Sequence, residues 1–277
     1  MNFKDTAATL EASAKPIGSG KFGAQLVMFE NGIKAVLKTQ QHSTALFRGV
    51  PKSEFHKREV AVYRLDRDLL KFDVVPETLL INWEGQEASL QKYVEGVMPR
   101  DLVPDVFDKK NESWKSKVVK LFGMVNQDDL LRMVVLDLII NNADRHARNI
   151  VIDTFNDRVF GVDHSVSFGS GYQLYKNIFH KYLFFTKLEI PEAVLEQVDG
   201  ITPASLKNSI GALVSKEELD YTYWRARFVV DHSDRLAFVR VSQGNLNSKE
   251  FPSYESWFQK KMQPRIGALV TQVFNQG

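Results

Sequence analysis

A polar cluster, Asn141-Asn142-Ala143-Asp144-Arg145-His146-Ala147-Arg148-Asn149, follows the most apolar stretch of the chain. Asp144 and Asn149 stand five positions apart, and Asp163 comes fourteen positions after Asn149. Phosphoryl transfer uses such a set: one carboxylate orients the acceptor hydroxyl and takes its proton, while an amide oxygen and a second carboxylate hold Mg²⁺. By type and spacing, Asp144 is a candidate catalytic residue, and Asn149 and Asp163 are candidate metal ligands. Each has a plainer reading when taken alone. Asp144 could cap a helix end, Asn149 could serve a turn, and Asp163 could make an Asx-turn.

A second group lies near the start. In Gly18-Ser19-Gly20-Lys21-Phe22-Gly23 three glycines let backbone approach a polyphosphate and offer it N–H groups. A Walker A reading fails, because its first glycine would be Lys15 and because Phe22 follows Lys21. A Rossmann reading also fits poorly, since the glycines precede a predicted hairpin rather than a helix. Ala35-Val36-Leu37-Lys38 then sets a lysine on a strand across from the glycine loop, within reach of two phosphates. Glu59, on the helical segment that follows, suits the carboxylate that holds such a lysine in line, with Glu54 as its rival. Gly18, Ser19, Gly20, Phe22, Gly23, Lys38 and Glu59 are therefore candidate ATP-binding residues. Their order along the chain, with the acid loop behind them, is hard to produce by accident.

These groups need elements to position them. Ala24 to Glu30 and Ile33 to Thr39 read as strands joined through Asn31-Gly32, which predicts a type I′ hairpin. A charged helical segment runs from about Lys52 to Leu70, with Val60, Tyr63 and Leu70 on its apolar stripe. Thr78 to Asn82 and Glu87 to Val94 read as two further strands. From there the chain turns helical: a basic segment from Trp114 to Val125, then Leu130 to Ile140 with Asp128-Asp129 at its positive end. After the acid loop come short strands at Ile150 to Ile152 and Arg158 to Val162, then mainly helices, ending near Pro264 to Phe274. The expected class is α+β, with a small sheet-rich lobe (1–94) and a larger helical lobe (95–277) in one domain of 277 residues. The join is expected near Tyr93 to Pro99.

Composition excludes other classes. With 44% apolar and 25% charged residues the chain has the makings of a large core. Met133 to Ile140 is broken by Asp137, so no membrane span is expected, and no apolar signal core opens the sequence. Cysteine is absent, which removes disulfides, thiolate zinc sites and cysteine nucleophiles and agrees with a cytoplasmic location. A net charge of +2 argues against nucleic acid as the main partner. The six histidines lack metal-like spacing, and His146 and His164 are expected to buttress the loops beside them. Lys109, Lys110, Lys115, Lys117 and Lys120 read as a solvated helix face. Tyr172, Tyr175, Phe179, Tyr182, Phe184 and Phe185 read mostly as core, in the segment where an acceptor would dock.

Taken together, residues 15 to 170 resemble a protein-kinase-like fold, and the loop narrows the branch. Asp144-Arg145-His146-x-x-Asn149 reverses the His-Arg-Asp order of ordinary eukaryotic protein kinases. It is similar to the phosphatidylinositol 3-/4-kinase superfamily and its relatives: the type II phosphatidylinositol 4-kinase-like proteins, the actin-fragmin kinases and, more distantly, HipA-type kinases. Leu136 to His146 resembles that group closely. His164 and Ser165 depart from it where many members carry Gly or Asn, and no Ala-Pro-Glu motif follows Asp163.

The resemblance implies a bilobal kinase fold with ATP and Mg²⁺ as cofactors. It also implies a hinge at Leu90 to Gly96, with Gln91 as gatekeeper and the Lys92 carbonyl and Val94 N–H meeting the adenine edge. The expected activity is transfer of the γ-phosphate to a hydroxyl, with a protein Ser/Thr acceptor as the first reading and a phosphoinositide as the alternative. A nucleotide-binding pseudokinase that acts as an interaction module, and an adenylyltransferase, are the rivals from other classes.

Overall fold

Alternation builds the sheet. Along β3 (Lys34–Thr39), Ala35 and Leu37 enter an apolar cluster with Val27, Phe29, Ala88 and Leu90. Val36 and Lys38 take the opposite face, because successive strand side chains point to opposite sides. The computed structural model describes residues 3, 15–19 (backbone only), 24–40, 45–47, 50–99, 123, 125–142, 144–169, 189–231 and 233. The readings made on Gly20, Phe22 and Gly23, on lysines 109–120, on aromatics 172–185 and on the last helix lie outside them.

β1 (Lys15–Ser19), β2 (Ala24–Met28), β3, β7 (Gln86–Lys92) and β6 (Thr78–Trp83) form one sheet in that order, every neighbouring pair antiparallel. Two short strands, β4 (Leu46–Phe47) and β5 (Val50–Pro51), form a separate antiparallel pair.

Two features differ from expectation. β1 was not legible, since Pro16 and Gly18 argue against a strand; the sheet admits them because β1 is an edge and its register shifts between them. The Asn31-Gly32 turn is not type I′. Phe29 and Ile33 close a three-residue loop, the Gly32 N–H donates to Phe29 O at 2.9 Å, and only Gly32 has positive φ (80°). A turn followed by one left-handed glycine is the alternative hairpin geometry, and the Asn31 carboxamide secures it by accepting the Ile33 N–H at 3.1 Å.

The second face of the sheet is covered by α1 (Phe55–Arg64). This helix enters through a 3₁₀ turn at Lys52–Glu54, continues as a π-helical stretch over Leu65–Leu70, and stops where Lys71 turns left-handed at φ 55°. Most of it is buried, His56, Arg58 and Glu59 included, so each of these must find a partner.

Beyond β7, residues 93–96 lead to Val97, which bridges Ile152 through two 2.9 Å hydrogen bonds. The later part is helical, apart from the hairpin β8 (Ile150–Asp153) and β9 (Arg158–Gly161). α2 (Gln127–Ile140) begins at Asn126, whose side chain accepts the Asp129 N–H, and ends at Asn141, left-handed at φ 51°. Asn is among the few non-glycine residues that accept that conformation. α3 (Glu192–Asp199), α4 (Pro203–Ile210) and α5 (Lys216–Asp231) follow. One apolar core joins α1, through Val60, Ala61, Val62 and Tyr63, to residues of α2, α3, α4 and α5.

Candidate active site

Lys38 stands opposite Ala24, at the end of β2 where the glycine segment enters, and its face of the sheet looks onto α1. Its Nζ donates to Glu59 Oε1 at 2.5 Å, Asp163 Oδ1 at 2.8 Å and Ser165 Oγ at 3.1 Å. Glu59 is the lysine's partner and Glu54 is not; Glu54 instead accepts from Arg58 at 2.8 Å. Side-chain exposure rises from 3% at Glu59 through 14% at Lys38 to 45% at Asp163, so the cluster opens to solvent on the Asp163 side. Burial works against the charge on Lys38, yet the Asp163 and Glu59 carboxylates outweigh it and hold the ammonium above the usual lysine range. Burial likewise opposes ionisation of Glu59 and Asp163, and Lys38 overrides it, keeping both carboxyls below the ordinary range.

Glu59 is saturated by further donors. Its Oε1 accepts the Ser165 hydroxyl at 2.7 Å and its Oε2 the His164 N–H at 3.0 Å. The Ser165 oxygen also lies 3.0 Å from Asp163 Oδ1. Asp163 reaches this position from a left-handed backbone, φ 57°.

The acid loop is organised around Arg145, wholly buried beneath it. Its Nε and Nη2 grip Asp137 of α2, each at 3.0 Å. Its Nη1 donates to the Asn149 and Val162 carbonyls at 2.5 and 2.9 Å, and its Nη2 lies 2.7 Å from His164 Nε2. Guanidinium has no acceptor, so His164 Nε2 must be the bare nitrogen and the proton sits on Nδ1. Burial, and then Arg145, push the His164 imidazole below its usual value, which agrees with a neutral ring. Asn142 joins the same knot through Asp137 Oδ1 at 3.0 Å and accepts the Asp144 N–H at 3.0 Å. Asn149 donates its amide N–H to the Asp144 carbonyl at 3.0 Å, while its backbone carbonyl accepts from Val162, one residue before Asp163.

The profile of the family described as "Phosphatidylinositol 3- and 4-kinase" matches residues 54–201. The chain belongs to that family. It is a kinase phosphotransferase. Crystal structures of the Golgi casein kinase, one with Mn/ADP bound, share the fold at 16% identity and TM-score 0.54. The Mn/ADP structure covers 84% of this chain and 75% of its own. A Helicobacter pylori proinflammatory kinase, CtkA, covers 84% of this chain and 97% of its own at 14% identity and TM-score 0.50. No curated protein matches.

In this kinase the matched region takes in Glu59, Asp144, Asn149 and Asp163 and leaves out Lys38 and the glycine segment. Gly18 and Ser19 close β1, paired with Leu26 and Gln25. Gln91 turns its amide to Thr78 Oγ1 at 2.9 Å. Lys92 ends β7 and Val94 follows it by two residues, and both line a cavity of about 930 Å³ with Tyr63, Arg67, Glu77 and Phe155. That cavity is apart from the ion cluster, since none of Lys38, Glu59, Asp144, Asn149 or Asp163 lines it.

Sequence reading assigned no role to Arg145, Asp137 or Ser165. A charged residue interrupting the apolar run at Asp137 was the available signal, because a buried carboxylate needs a buried cation. Of the two histidines, His164 is built into this knot, while His146 is half-exposed, accepts the Arg148 N–H on Nδ1 at 3.3 Å and has Nε2 at 4.0 Å from Asp144 Oδ2. For Mg²⁺ the chemistry of the donors fits. Asn149 has its N–H end committed to Asp144, leaving an amide oxygen, and Asp163 Oδ2 carries none of the bonds that occupy Oδ1. An amide and a carboxylate suffice for an ion that keeps its remaining positions for water and phosphate. Among the described residues no group of three or more His, Cys, Asp and Glu forms a metal cage.

Proposed function

We propose that the kinase uses ATP and Mg²⁺ to transfer the γ-phosphate to a hydroxyl, most simply a Ser or Thr of a protein. The observation that carries this reading is the junction of Lys38 with Glu59 and Asp163, residues of a strand, a helix and the segment just after β9, separated from Lys38 by 21 and 125 positions. Lys38, kept charged by both carboxylates, binds the nucleotide phosphates beneath the segment of Gly18, Ser19, Gly20, Phe22 and Gly23. The hinge backbone at Lys92 and Val94 receives the adenine edge. Asp144 orients the acceptor hydroxyl and takes its proton, while Asn149 and Asp163 hold the ion. Mg²⁺ neutralises phosphate charge when bound.

A protein acceptor is supported by the likeness in fold to the Golgi casein kinase, and a phosphoinositide acceptor by membership of the phosphatidylinositol 3- and 4-kinase family. The test is intact-mass and radiolabel analysis after incubation with Mg²⁺ and γ-labelled ATP, offering a generic protein and phosphoinositide vesicles together. Asp163-dependent label on protein is the expected result, and label on lipid replaces the acceptor. Retained turnover in Asp144→Ala would sink the role of Asp144. Transfer of AMP rather than phosphate would make the enzyme an adenylyltransferase, and nucleotide binding without label from any acceptor would favour an interaction module.

A further inference from the structure

Glu59 is fixed by its neighbour as well as by Lys38. Arg58 is buried beside it, and its guanidinium reaches three acceptors. Nη1 donates to the Ser167 carbonyl at 2.6 Å, and Nη2 donates to Glu54 at 2.8 Å and to Glu218 Oε1 at 2.5 Å. Ser167 lies four positions beyond Asp163, and Glu218 belongs to α5, 160 positions away and outside the matched family region.

Glu218 has two tasks at the start of α5. Its Oε2 accepts the Ser215 N–H at 2.8 Å, while the Ser215 hydroxyl accepts the Glu218 N–H at 3.3 Å, a reciprocal cap in the Ser-x-x-Glu pattern. The other oxygen faces Arg58. α5 also grips the segment after Asp163 directly, since Arg225 Nη2 donates to the Gly169 carbonyl at 2.6 Å. One helix thus holds both the carrier of Glu59 and the chain that leaves Asp163.

We propose that α5 is a built-in anchor for the nucleotide site: Glu218, acting through Arg58, positions Glu59 and with it Lys38. The inference rests on the reading of Lys38 and Glu59 as nucleotide-binding groups. In this arrangement α1 is held by a helix of the same chain, with no modification needed to draw Glu59 toward Lys38. Arg58 and Glu218 are positioning residues, since neither touches Lys38.

Glu218→Gln isolates the contact with Arg58: the single glutamine carbonyl can keep the Ser215 cap, while its amide NH₂, a donor, replaces the carboxylate oxygen that faces Arg58. The test is a double-mutant cycle on the dissociation constant of Mg²⁺ with β,γ-imido-ATP, measured by calorimetry for the whole chain. Glu218→Gln is expected to weaken binding about three- to tenfold in the wild-type background. In the Glu59→Gln background it should change binding by less than about twofold, because the residue it acts through is already gone.

Equal losses in both backgrounds overturn the inference, for they mean that Glu218 supports the fold at large. Wild-type affinity in Glu218→Gln, with Glu59→Gln still weakened, overturns it and leaves the nucleotide reading intact. Wild-type affinity in Glu59→Gln overturns that reading itself, and the anchor with it. Amide hydrogen exchange gives a second measure that does not depend on nucleotide. Faster exchange in 55–64 with 127–140 unchanged is expected in Glu218→Gln, and a uniform change across both segments counts against the anchor.

Discussion

Arg145 has five N–H donors, and each one meets an acceptor: two on Asp137, the Asn149 and Val162 carbonyls, and His164 Nε2. Lysine offers three donors on a flexible stem and cannot reproduce this fork. Removing the cation leaves the Asp137 carboxylate buried without its countercharge. Arg145→Met should therefore cost about 3–5 kcal/mol of stability in urea unfolding, and Arg145→Lys should fall between it and wild type. The same crowding fixes Gly161. A Cβ there would stand 2.8 Å from Arg145 Nη2 and 3.1 Å from His164 Nε2. The guanidinium cannot swing aside without breaking its bonds, so Gly161→Ala should cost about 1–3 kcal/mol by the same measurement. Wild-type stability in Gly161→Ala would mean that the knot yields more easily than its bonds suggest.

At the scale of elements, the turn after α1 depends on a carboxyl. Asp66 is wholly buried, and its Oδ2 accepts the Val74 and Val75 N–H groups, each at 3.1 Å. Burial pushes the group from 3.8 up to about 7; the two N–H donors and Arg158 pull the other way, and Asp73 adds to the rise. The folded value lies above the unfolded one, so the native state holds the extra proton. The stabilisation is complete below the unfolded value and is lost as pH rises through about 7. Asp66→Asn keeps an acceptor and cannot ionise. Its thermal midpoint should vary less than that of wild type between about pH 4 and 8, and an unchanged slope would show that Asp66 is ionised throughout.

Elements also differ in how far the sequence announces them. α2 was legible because its apolar run is long and local, and the hairpin because Asn-Gly is a local signal. β1 was hidden because an edge strand tolerates the Pro16 and Gly18 that would exclude a central one. The turn type was missed because Asn31 secures the loop with its side chain instead of adopting positive φ. Lys38, Glu59, Asp144, Asn149 and Asp163 could be nominated by type and spacing, whereas Arg58–Glu218 joins residues 160 apart and leaves no local pattern.

At the scale of the whole molecule, Lys38 comes from the sheet and Asp163 from the helical part, and their 2.8 Å ion pair spans the two. Two carboxylates surround a single ammonium, so the junction carries a net charge of about −1. The proposed metal-bound nucleotide would suit this balance, with Asp163 on the side of the ion and Lys38 on the side of the phosphates. Binding to the native state alone raises stability by about 2.7 kcal/mol at a hundredfold excess over Kd, which for a chain of this size is about 5–10 °C in Tm. MgADP should produce that shift, and chelating the metal with EDTA should remove most of it. Asp163→Ala should bind poorly yet unfold within about 1 kcal/mol of wild type without ligand, since the carboxylate is partly exposed and Lys38 keeps Glu59. A full MgADP shift in Asp163→Ala would remove that residue from the metal site. A large loss of stability without ligand would instead make the Lys38–Asp163 bridge a structural tie between sheet and helices, in competition with the nucleotide it is expected to receive.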